Sequence, residues 1–438
     1  MMEYRQAVDY IEEIPKFTKK HPPGHTRKCL RLLGSPEKSF RILHVAGTNG
    51  KGSTCAFLDS VLRHAGYRCG LFTSPHLVDL EERFVIDGEK ADREEFLQAF
   101  ETVYDLAREM QRSGEEHPTY FEFLFLMGMV LFERAGVEIA VLETGLGGRL
   151  DATTAAEDPE LCVITSVSLD HMQYLGNTVE EIAAEKAGIM VPGVPVVFDG
   201  NDDRVKRVLE EHAVRLGCPA VCVTKEEARI TEYTESSIVF RTGDKAAERE
   251  YRIPFIAEYQ VMNALLAISA IRTLAPRLSV PEEALKEGLR EACWEGRMEQ
   301  VLPGVYLDGA HNEDGVRQFI KTAARLGKEH RIGLVFSAVS DKDYPRMVQE
   351  MTEQLPLSFA VTTQVGGSRQ VPAGELAELF RRNGCERVIE CPFPAEAFAE
   401  ALRQKQEKEI LFCVGSLYLV GEIKALINRR STGMEIQI

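Results

Sequence analysis

The chain has 438 residues, of which 44% are hydrophobic and 27% are charged. This length and composition are typical of a globular protein with two domains, and they exclude a disordered, collagen-like or disulfide-rich chain. The net charge of −16 argues against nucleic acid as the main partner, because a phosphate backbone is bound by basic surfaces. Any anionic ligand would have to be held locally, by helix dipoles, a few basic residues or metal ions.

The sequence carries no sign of export or of membrane insertion. The first residues mix both charge signs before any apolar run, so no secretory signal is visible. The longest apolar run, residues 123–132, is half a membrane span and predicts a core helix. The ten cysteines lack the spacing of metal or redox motifs and are expected to be free thiols. We therefore expect a soluble, cytoplasmic protein with no membrane partner.

Strand-like apolar runs alternate with helical segments along most of the chain, which predicts an α/β fold with parallel sheets. In the first half, strands are predicted at residues 41–46, 68–72, 137–142, 161–167 and 194–198. Short β-rich runs then predict a small antiparallel patch at residues 230–233, 237–241 and 250–254. Beyond residue 295 the alternation restarts, with strands predicted at residues 305–307, 331–336, 359–362, 388–390 and 410–414. We therefore divide the chain into domains of residues 1–295 and 296–438.

Four of the first-half strands lead directly into polar or glycine-rich clusters. These clusters occupy residues 47–53, 73–76, 143–145 and 168–171. In a parallel sheet, ligands bind beyond the carboxyl ends of the strands. If the four strands share one sheet, the clusters meet at one edge and form a candidate active site.

The first cluster predicts a phosphate-binding loop. It consists of Gly47, Thr48, Asn49, Gly50, Lys51, Gly52 and Ser53. Glycines allow backbone amides to point at phosphate oxygens, the following helix adds its dipole, and Lys51 supplies positive charge. The spacing departs from the usual P-loop, since Val45 replaces its first glycine and Gly52 separates Lys51 from Ser53. The alternative is a glycine-rich turn with a solvated lysine, but the preceding strand and the added hydroxyl groups favour phosphate binding.

Two residues at the other strand ends are candidate metal ligands. Glu143 suits Mg²⁺, which prefers oxygen ligands and keeps waters and nucleotide phosphates. His171 would be an unusual magnesium ligand, and a structural histidine is an equal alternative. Ser74 alone has the features of a turn or N-cap serine.

Lys186 lies on a short predicted helix, residues 178–188, which begins with a Thr178–Glu181 capping box. Its position relative to Ile182 and Ala183 places it on the apolar face. It could be a lysine that complements the helix dipole and extends to water, or a functional or modified lysine. The residues alone leave both interpretations open.

The second half offers weaker signals. Asp308 and Asn312 follow the strand predicted at residues 305–307, where they could be ligand contacts or helix caps. Arg297 follows the proposed boundary, where it could reach a nucleotide or simply be a surface charge.

Taken together, the motifs resemble those of folylpolyglutamate synthase/dihydrofolate synthase, a branch of the Mur ligase family. The resemblance extends from about residue 20 to residue 425, and its motifs occur in one order. They occupy residues 44–53, 73–77, 143–153, 170–171, 185–189, 308–312 and 415–418.

The resemblance implies an N-terminal P-loop ATPase-like domain that carries the folate site, and a C-terminal Rossmann-like glutamate ligase domain. It implies ATP-dependent ligation of L-glutamate to folates, and optionally to dihydropteroate, through an acyl phosphate. ATP and two Mg²⁺ ions are the expected cofactors. The expected partners are small-molecule substrates only, and the expected oligomeric state is a monomer.

The resemblance also implies roles for individual residues. Lys51, His171 and Lys186 would be catalytic, and Asn263, Arg297 and Asp308 would join the glycine-rich cluster in binding ATP. Magnesium would be held by Ser74, Glu143, His171 and a carbamylated Lys186. The pterin or folate would contact Thr119, Tyr120, Phe121, Glu122, Leu150, Asp151 and Ala152.

Two positions depart from the family pattern. Tyr259 stands where histidine is usual, and Thr154 stands where asparagine is common. Both lie near the regions expected to recognise the base and the pterin. Two other functions remain as alternatives: a related ligase with a peptidoglycan precursor or polyamide as acceptor, and a nucleotide-binding switch without ligase activity. The sequence does not decide between dihydrofolate synthesis, polyglutamate extension and both.

Overall fold

The computed structural model describes residues 3–15, 21–243, 248–367 and 369–431. The chain divides into two compact units, of which the first reaches Cys293 and the second begins at Trp294. Two short earlier segments, Thr234–Ser236 and Phe255–Tyr259, belong to the second unit. The single cut predicted between residues 295 and 296 did not anticipate these two segments.

The first unit is built on a sheet with the strand order β4-β3-β2-β5-β1-β6-β7-β8. Its strands are β1 (Arg41–Ala46), β2 (Cys69–Phe72), β3 (Phe84–Ile86), β4 (Glu89–Lys90), β5 (Ile139–Glu143), β6 (Leu161–Ile164), β7 (Val196–Asp199) and β8 (Ala220–Val223). The pairs from β2 to β8 are parallel, whereas β3 and β4 form an antiparallel edge. All five predicted strands are present, with ends that differ by up to three residues, and β3, β4 and β8 were not predicted.

The order of the central strands places the polar clusters together. Strands β2, β5, β1 and β6 are immediate neighbours and run parallel, so their carboxyl ends share one edge of the sheet. The predicted convergence of the four clusters on one edge is therefore confirmed.

Helices cover this sheet and provide most of the core. They are α1 (Tyr4–Glu13), α2 (Pro23–Leu32), α3 (Lys51–His64), α4 (Arg93–Arg112), α5 (Tyr120–Arg134), α6 (Met172–Leu175), α7 (Val179–Ala187), α8 (Asp203–Leu216), α9 (Tyr259–Leu274) and α10 (Glu282–Glu291). The apolar run at residues 123–132 lies within α5, and its side chains are buried in the core, as predicted. Among the described residues, no helix is both long and apolar enough to cross a bilayer.

The antiparallel patch is also present, as a separate sheet in the order β11-β10-β9. Its strands are β9 (Ala228–Tyr233), β10 (Ile238–Thr242) and β11 (Arg249–Ile253). Both of its strand pairs are antiparallel, as predicted.

The second unit contains a sheet in the order β12-β13-β17-β14-β15-β16, parallel except for the edge strand β12. Its strands are β12 (Glu299–Leu302), β13 (Val305–Leu307), β14 (Ile332–Phe336), β15 (Leu357–Thr362), β16 (Val388–Glu390) and β17 (Ile410–Val414). Its helices are α11 (Glu313–Leu326), α12 (Tyr344–Gln354), α13 (Ala373–Arg382), α14 (Pro394–Gln404) and α15 (Leu417–Ser431).

All ten cysteines of the chain are free thiols, as predicted.

Candidate active site

The glycine-rich loop between β1 and α3 is held against the residues that follow β6. The backbone N–H of Thr48 donates to the carbonyl of Ser166 at 2.7 Å, and the Thr165 hydroxyl donates to the carbonyl of Asn49 at 2.8 Å. A Cβ added to Gly47 would lie 1.8 Å from the Thr165 Oγ1 atom. The loop therefore needs glycine at Gly47 to approach the Thr165 side chain this closely.

Gly50 ends the loop in a left-handed conformation, with φ +87°. A Cβ at this position would lie 2.3 Å from the Oδ1 atom of Asn263. The Asn263 amide donates to the Gln260 Oε1 atom at 2.9 Å, and the Gln260 amide donates to the Ser53 hydroxyl at 3.1 Å. These buried amides thus hold both the end of the loop and the first turn of α3.

Lys51 begins α3 and faces a buried carboxylate. Its Nζ atom lies 3.9 Å from Oε1 of Glu143 and donates to the Thr48 carbonyl at 3.3 Å. The Glu143 side chain, only 4% exposed, accepts a 3.0 Å hydrogen bond from the Ser74 backbone N–H through Oε2. The clusters after β1, β2 and β5 are therefore in direct contact, and they combine a cation, a carboxylate and a hydroxyl-bearing residue.

His171 lies at the same edge, in the segment between β6 and α6. Its backbone is left-handed, with φ +50°, and its N–H donates to Oδ1 of Asp170 at 2.8 Å. The ring is one-third exposed, with Nε2 at 3.9 Å from the same carboxylate oxygen. A left-handed conformation at a residue other than glycine is strained and is typical of functional positions.

Lys186 is buried on α7 and reaches the glycine-rich loop. Its Nζ atom donates to the carbonyl of Gly47 at 2.6 Å, and its residue is 3% exposed. The Thr178–Glu181 capping box at the start of α7 is present, as predicted. Of the two interpretations of Lys186, the lysine that extends to water is therefore wrong.

Close backbone packing fixes α7 against the segment that follows Glu143. A Cβ on Gly148 would lie 2.7 Å from the Glu185 carbonyl oxygen, and one on Gly188 would lie 2.4 Å from the Arg149 Cβ. The Arg149 guanidinium also pairs with the Glu185 carboxylate at 2.7 Å. Gly188 thus has a packing role beyond ending the helix, and these contacts position Lys186.

The segment predicted to contact folate at the start of α5 lies beside this edge. Thr119 caps the helix, and Glu122 completes the capping box. The Phe121 ring packs so closely on Gly145 that a Cβ there would lie 2.6 Å from it. The Tyr120 hydroxyl donates to a Glu12 carboxylate oxygen at 3.2 Å. Of these residues, Phe121 contacts the strand-end cluster of Glu143 directly.

The second segment predicted to contact folate is a tight turn organised by Asp151. This buried carboxylate accepts hydrogen bonds from the Leu146 N–H at 2.8 Å and from the Thr153 hydroxyl at 2.6 Å. The Thr153 oxygen in turn lies 2.8 Å from Nε2 of His44, and burial lowers the pKa of His44 to about 4. These hydrogen bonds of the Asp151 carboxylate stabilise the turn. Leu150 lies at the tip of the turn and is 38% exposed. Ala152 begins a short 3₁₀ helix, Ala152–Ala155.

In the second unit, Asp308 is buried directly after β13. Its carboxylate accepts hydrogen bonds from the N–H groups of Met298 and Ala310, both at 2.9 Å, and from the Tyr259 hydroxyl at 3.4 Å. Burial raises the pKa of Asp308, while the nearby Arg297 lowers it. Asp308 is therefore not a helix cap.

Asn312 is the N-cap of α11, since its Oδ1 atom accepts from the Gly315 N–H at 2.8 Å. The capping alternative therefore holds for Asn312. Arg297 is only partly exposed, and its guanidinium lies over Gly309, where an added Cβ would be 2.7 Å from Nη1. Arg297 is thus packed against the Asp308 segment.

Three residues that shape the site were not assigned a role from the sequence. Thr165 has no motif of its own, and Gln260 lies in the segment of residues 258–263 without a predicted contact. Their contacts with the glycine-rich cluster depend on the tertiary fold. Arg83 is buried, and its Nε donates to Nδ1 of His76 at 2.9 Å. Burial lowers the pKa of Arg83. Arg83 directly precedes β3, a strand that was not predicted, so no local pattern marked it.

Comparisons with known proteins identify both parts of the chain. The model of the Mur ligase middle domain matches residues 45–271, and that of the Mur ligase, glutamate ligase domain matches residues 296–417. The chain is 36% identical over 433 residues to the dihydrofolate synthase/folylpolyglutamate synthase of Bacillus subtilis (strain 168), covering 96% of this chain and 98% of that protein.

Solved structures with the same fold contain nucleotides and folate compounds. The E. coli FolC structure in complex with DHPP and ADP has a TM-score of 0.84 at 27% identity, covering 98% of this chain and 99% of that one. A folylpolyglutamate synthase from Yersinia pestis, bifunctional with dihydrofolate synthase and complexed with AMPPNP and a Mn ion, has a TM-score of 0.82 at 27% identity, covering 98% of each chain.

Proposed function

Because this chain belongs to the folylpolyglutamate synthase/dihydrofolate synthase branch of the Mur ligase family, we propose that it is an ATP-dependent ligase that joins L-glutamate to folates. The observation that carries the assignment of its reaction centre is the placement of Lys51, 3.9 Å from Glu143, at the end of the glycine-rich loop. Lys186 contacts the same loop through its hydrogen bond to the Gly47 carbonyl.

The chemical problem is that a carboxylate is a poor electrophile. In the first step, an oxygen of the folate carboxylate attacks the γ-phosphorus of ATP, and ADP leaves with the electrons of the broken P–O bond. In the second step, the amino group of glutamate attacks the acyl carbon of the acyl phosphate. Inorganic phosphate leaves, the nitrogen loses a proton, and an amide is formed.

The first unit supplies the groups that phosphoryl transfer requires. The reaction depends mainly on positioning and on neutralising charge. The backbone N–H groups at the start of α3 and the Lys51 ammonium are suited to bind the phosphates. The buried amides of Gln260 and Asn263 hold the loop in place before the nucleotide arrives.

The residues at the sheet edge fit a magnesium site. Glu143 offers a buried carboxylate beside Ser74, which suits a hard cation. We propose that Ser74, Glu143, His171 and a carbamylated Lys186 hold a pair of Mg²⁺ ions, since carbamylation would turn the Lys186 amine into an oxygen ligand. Bound Mg²⁺ would neutralise charge on the transferring phosphoryl group.

The remaining substrate contacts are assigned by motif. Asn263, Arg297 and Asp308 are the proposed nucleotide contacts. The proposed folate contacts are Thr119, Tyr120, Phe121, Glu122, Leu150, Asp151 and Ala152. Phe121 and Leu150 are the strongest of these, because Phe121 packs on Gly145 and Leu150 is exposed at its turn.

We also propose that the chain accepts dihydropteroate as well as reduced folates. The support is its similarity, over nearly the full length of both chains, to a relative named for both activities. We further propose a cytoplasmic monomer, in keeping with its free thiols.

ADP release measured in the presence of Mg²⁺ tests the ligase assignment. We expect release only when both L-glutamate and a folate acceptor are present, because the acyl phosphate must be consumed for turnover. ADP release at the same rate with and without glutamate would instead indicate a nucleotide-binding switch.

A further inference from the structure

A cluster of two histidines and one carboxylate lies apart from the residues assigned to ATP and magnesium. It consists of His21, His25 and Glu122, and we call it the His21–His25–Glu122 cluster. One ligand atom from each residue lies within 4.8 Å of the other two. Glu122 is 4% exposed, and the two histidine side chains are 14% and 11% exposed.

The Nδ1 atoms of both rings converge on the same carboxylate. His21 Nδ1 lies 2.7 Å from Oε2 of Glu122, and His25 Nδ1 lies 3.2 Å from Oε1. In a tetrahedral zinc site with bonds of about 2.0–2.1 Å, neighbouring ligand atoms are roughly 3.3 Å apart. The His25 distance is close to that spacing, whereas the His21 distance is shorter, so a cation between them would require the His21 ring to move away from the carboxylate.

The opposite nitrogen of each ring also faces an oxygen that can only accept. His21 Nε2 lies 3.1 Å from the carboxylate of Glu116, and His25 Nε2 lies 3.0 Å from the Glu116 carbonyl. A neutral imidazole has a single N–H and cannot donate on both sides. If all four contacts are to be favourable at once, the cluster needs additional positive charge, from protons or from a bound cation.

Protonation of both rings would supply this positive charge, but the two charged rings would repel each other. The ring centroids of His21 and His25 are 4.0 Å apart, so two imidazolium ions would face each other in a partly buried place. A divalent cation bound by both Nδ1 atoms and Glu122 would satisfy the carboxylate and leave each Nε2–H to donate to Glu116. Metal-binding histidines usually donate their second N–H to a carbonyl or carboxylate in this way.

Further contacts orient the carboxylate. The Thr26 hydroxyl donates to Oε1 of Glu122 at 2.7 Å, and the Thr119 N–H donates to Oε2 at 2.8 Å. Two imidazole nitrogens with one carboxylate select a borderline transition metal over magnesium. We propose that His21, His25 and Glu122 bind one Zn²⁺ ion, which links α2 and the segment just before it to the first turn of α5.

The proposal shares Glu122 with the proposed folate contacts but does not depend on ligase activity, and it is tested by titrating the full-length, chelator-treated protein with Co²⁺ in excess Mg²⁺. We expect one equivalent of Co²⁺ to give the visible absorption of a four-coordinate site, and Zn²⁺ to displace it. His21→Gln and His25→Gln should each weaken binding at least about tenfold. Two control variants should bind Co²⁺ as tightly as wild type does. They are His212→Gln, which replaces a histidine on α8, and Glu143→Gln, which replaces a residue of the ligase site.

Absence of a saturable equivalent, or equal affinity in a variant carrying both His21→Gln and His25→Gln, would overturn the proposal. Anomalous diffraction at the zinc edge from wild-type crystals grown with equimolar Zn²⁺ provides a test that does not depend on variants that fold. A peak between the two Nδ1 atoms and Glu122 is expected. Its absence would show that protons alone supply the charge.

Discussion

The Nζ atom of Lys186 donates a 2.6 Å hydrogen bond to the carbonyl oxygen of Gly47, which joins α7 to the glycine-rich loop. Burying a lysine without a partner is energetically unfavourable, and this hydrogen bond offsets part of that cost. It also links α7 to the glycine-rich loop. In the proposed enzyme, carbamylation would exchange this hydrogen bond for a metal ligand at the same position.

Carbamylation of Lys186 should therefore limit activity when carbon dioxide is scarce. We expect kcat to fall after dialysis against CO₂-free buffer and to recover on addition of bicarbonate. Lys186→Arg keeps the positive charge but cannot form the carbamate, so it should be inactive with or without bicarbonate. Wild-type activity in Lys186→Arg would rule out this role.

Replacing Lys51 with alanine should abolish turnover while leaving the fold intact. The ammonium neutralises the phosphates during transfer, so we expect a loss of about 10³-fold or more in kcat/KM. The circular dichroism spectrum and the melting temperature should stay close to those of wild type. Lys38→Ala removes an exposed lysine ahead of β1 and should keep full activity. Normal turnover in Lys51→Ala would contradict the site assignment.

Gly50 and Gly66 make a matched pair for testing the loop. Both have left-handed backbones, with φ +87° and +90°, but only at Gly50 does an added Cβ meet another atom, Asn263 Oδ1 at 2.3 Å. Gly66→Ala should cost about 1–2 kcal/mol of unfolding free energy through backbone strain alone. Gly50→Ala should cost more and should also weaken ADP binding, as measured by denaturant unfolding and calorimetry. Equal effects of the two substitutions on ADP binding would show that the loop tolerates the side chain.

His44 should make the first unit sensitive to acid. Its pKa is lowered from 6.5 to about 4 by burial, although Asp151 opposes the change. The folded state therefore disfavours protonation, and stability that is present above pH 6.5 is lost as the pH falls towards 4. The loss should reach about 3 kcal/mol. Urea unfolding of wild type and His44→Gln across this range should show a steeper decline in wild type, and parallel declines would contradict the assignment.

The strands and helix caps that could be predicted are those whose signal lies in residues close together in the sequence. Buried parallel strands are continuous apolar runs, so β1, β5 and β17 could be recognised, and the capping box of α7 is a local pattern. Strand β4 is a pair of exposed charged residues and carries no apolar signal. Strand β8 is apolar in sequence but only four residues long and largely exposed at the sheet edge, and it was not predicted.

The candidate site was predictable where the chemistry lies at strand ends, and hidden where it depends on distant contacts. Gln260 and Ser53 are 207 residues apart, and His21 and Glu122 are 101 apart. Thr165 was assigned to a strand that ends at Ile164, so its contact with the loop was missed. Such pairs are brought together only by the packing of whole helices and strands.

The most direct test of the account is the mass of the product formed from ATP, L-glutamate and Mg²⁺, with dihydropteroate and a reduced folate supplied separately. We expect each acceptor to gain one glutamyl residue, with one ADP released for each amide formed, and Lys51→Ala to form neither product. Product from the reduced folate alone would contradict the proposed second acceptor. ATP binding without product from either acceptor would contradict the proposed function itself.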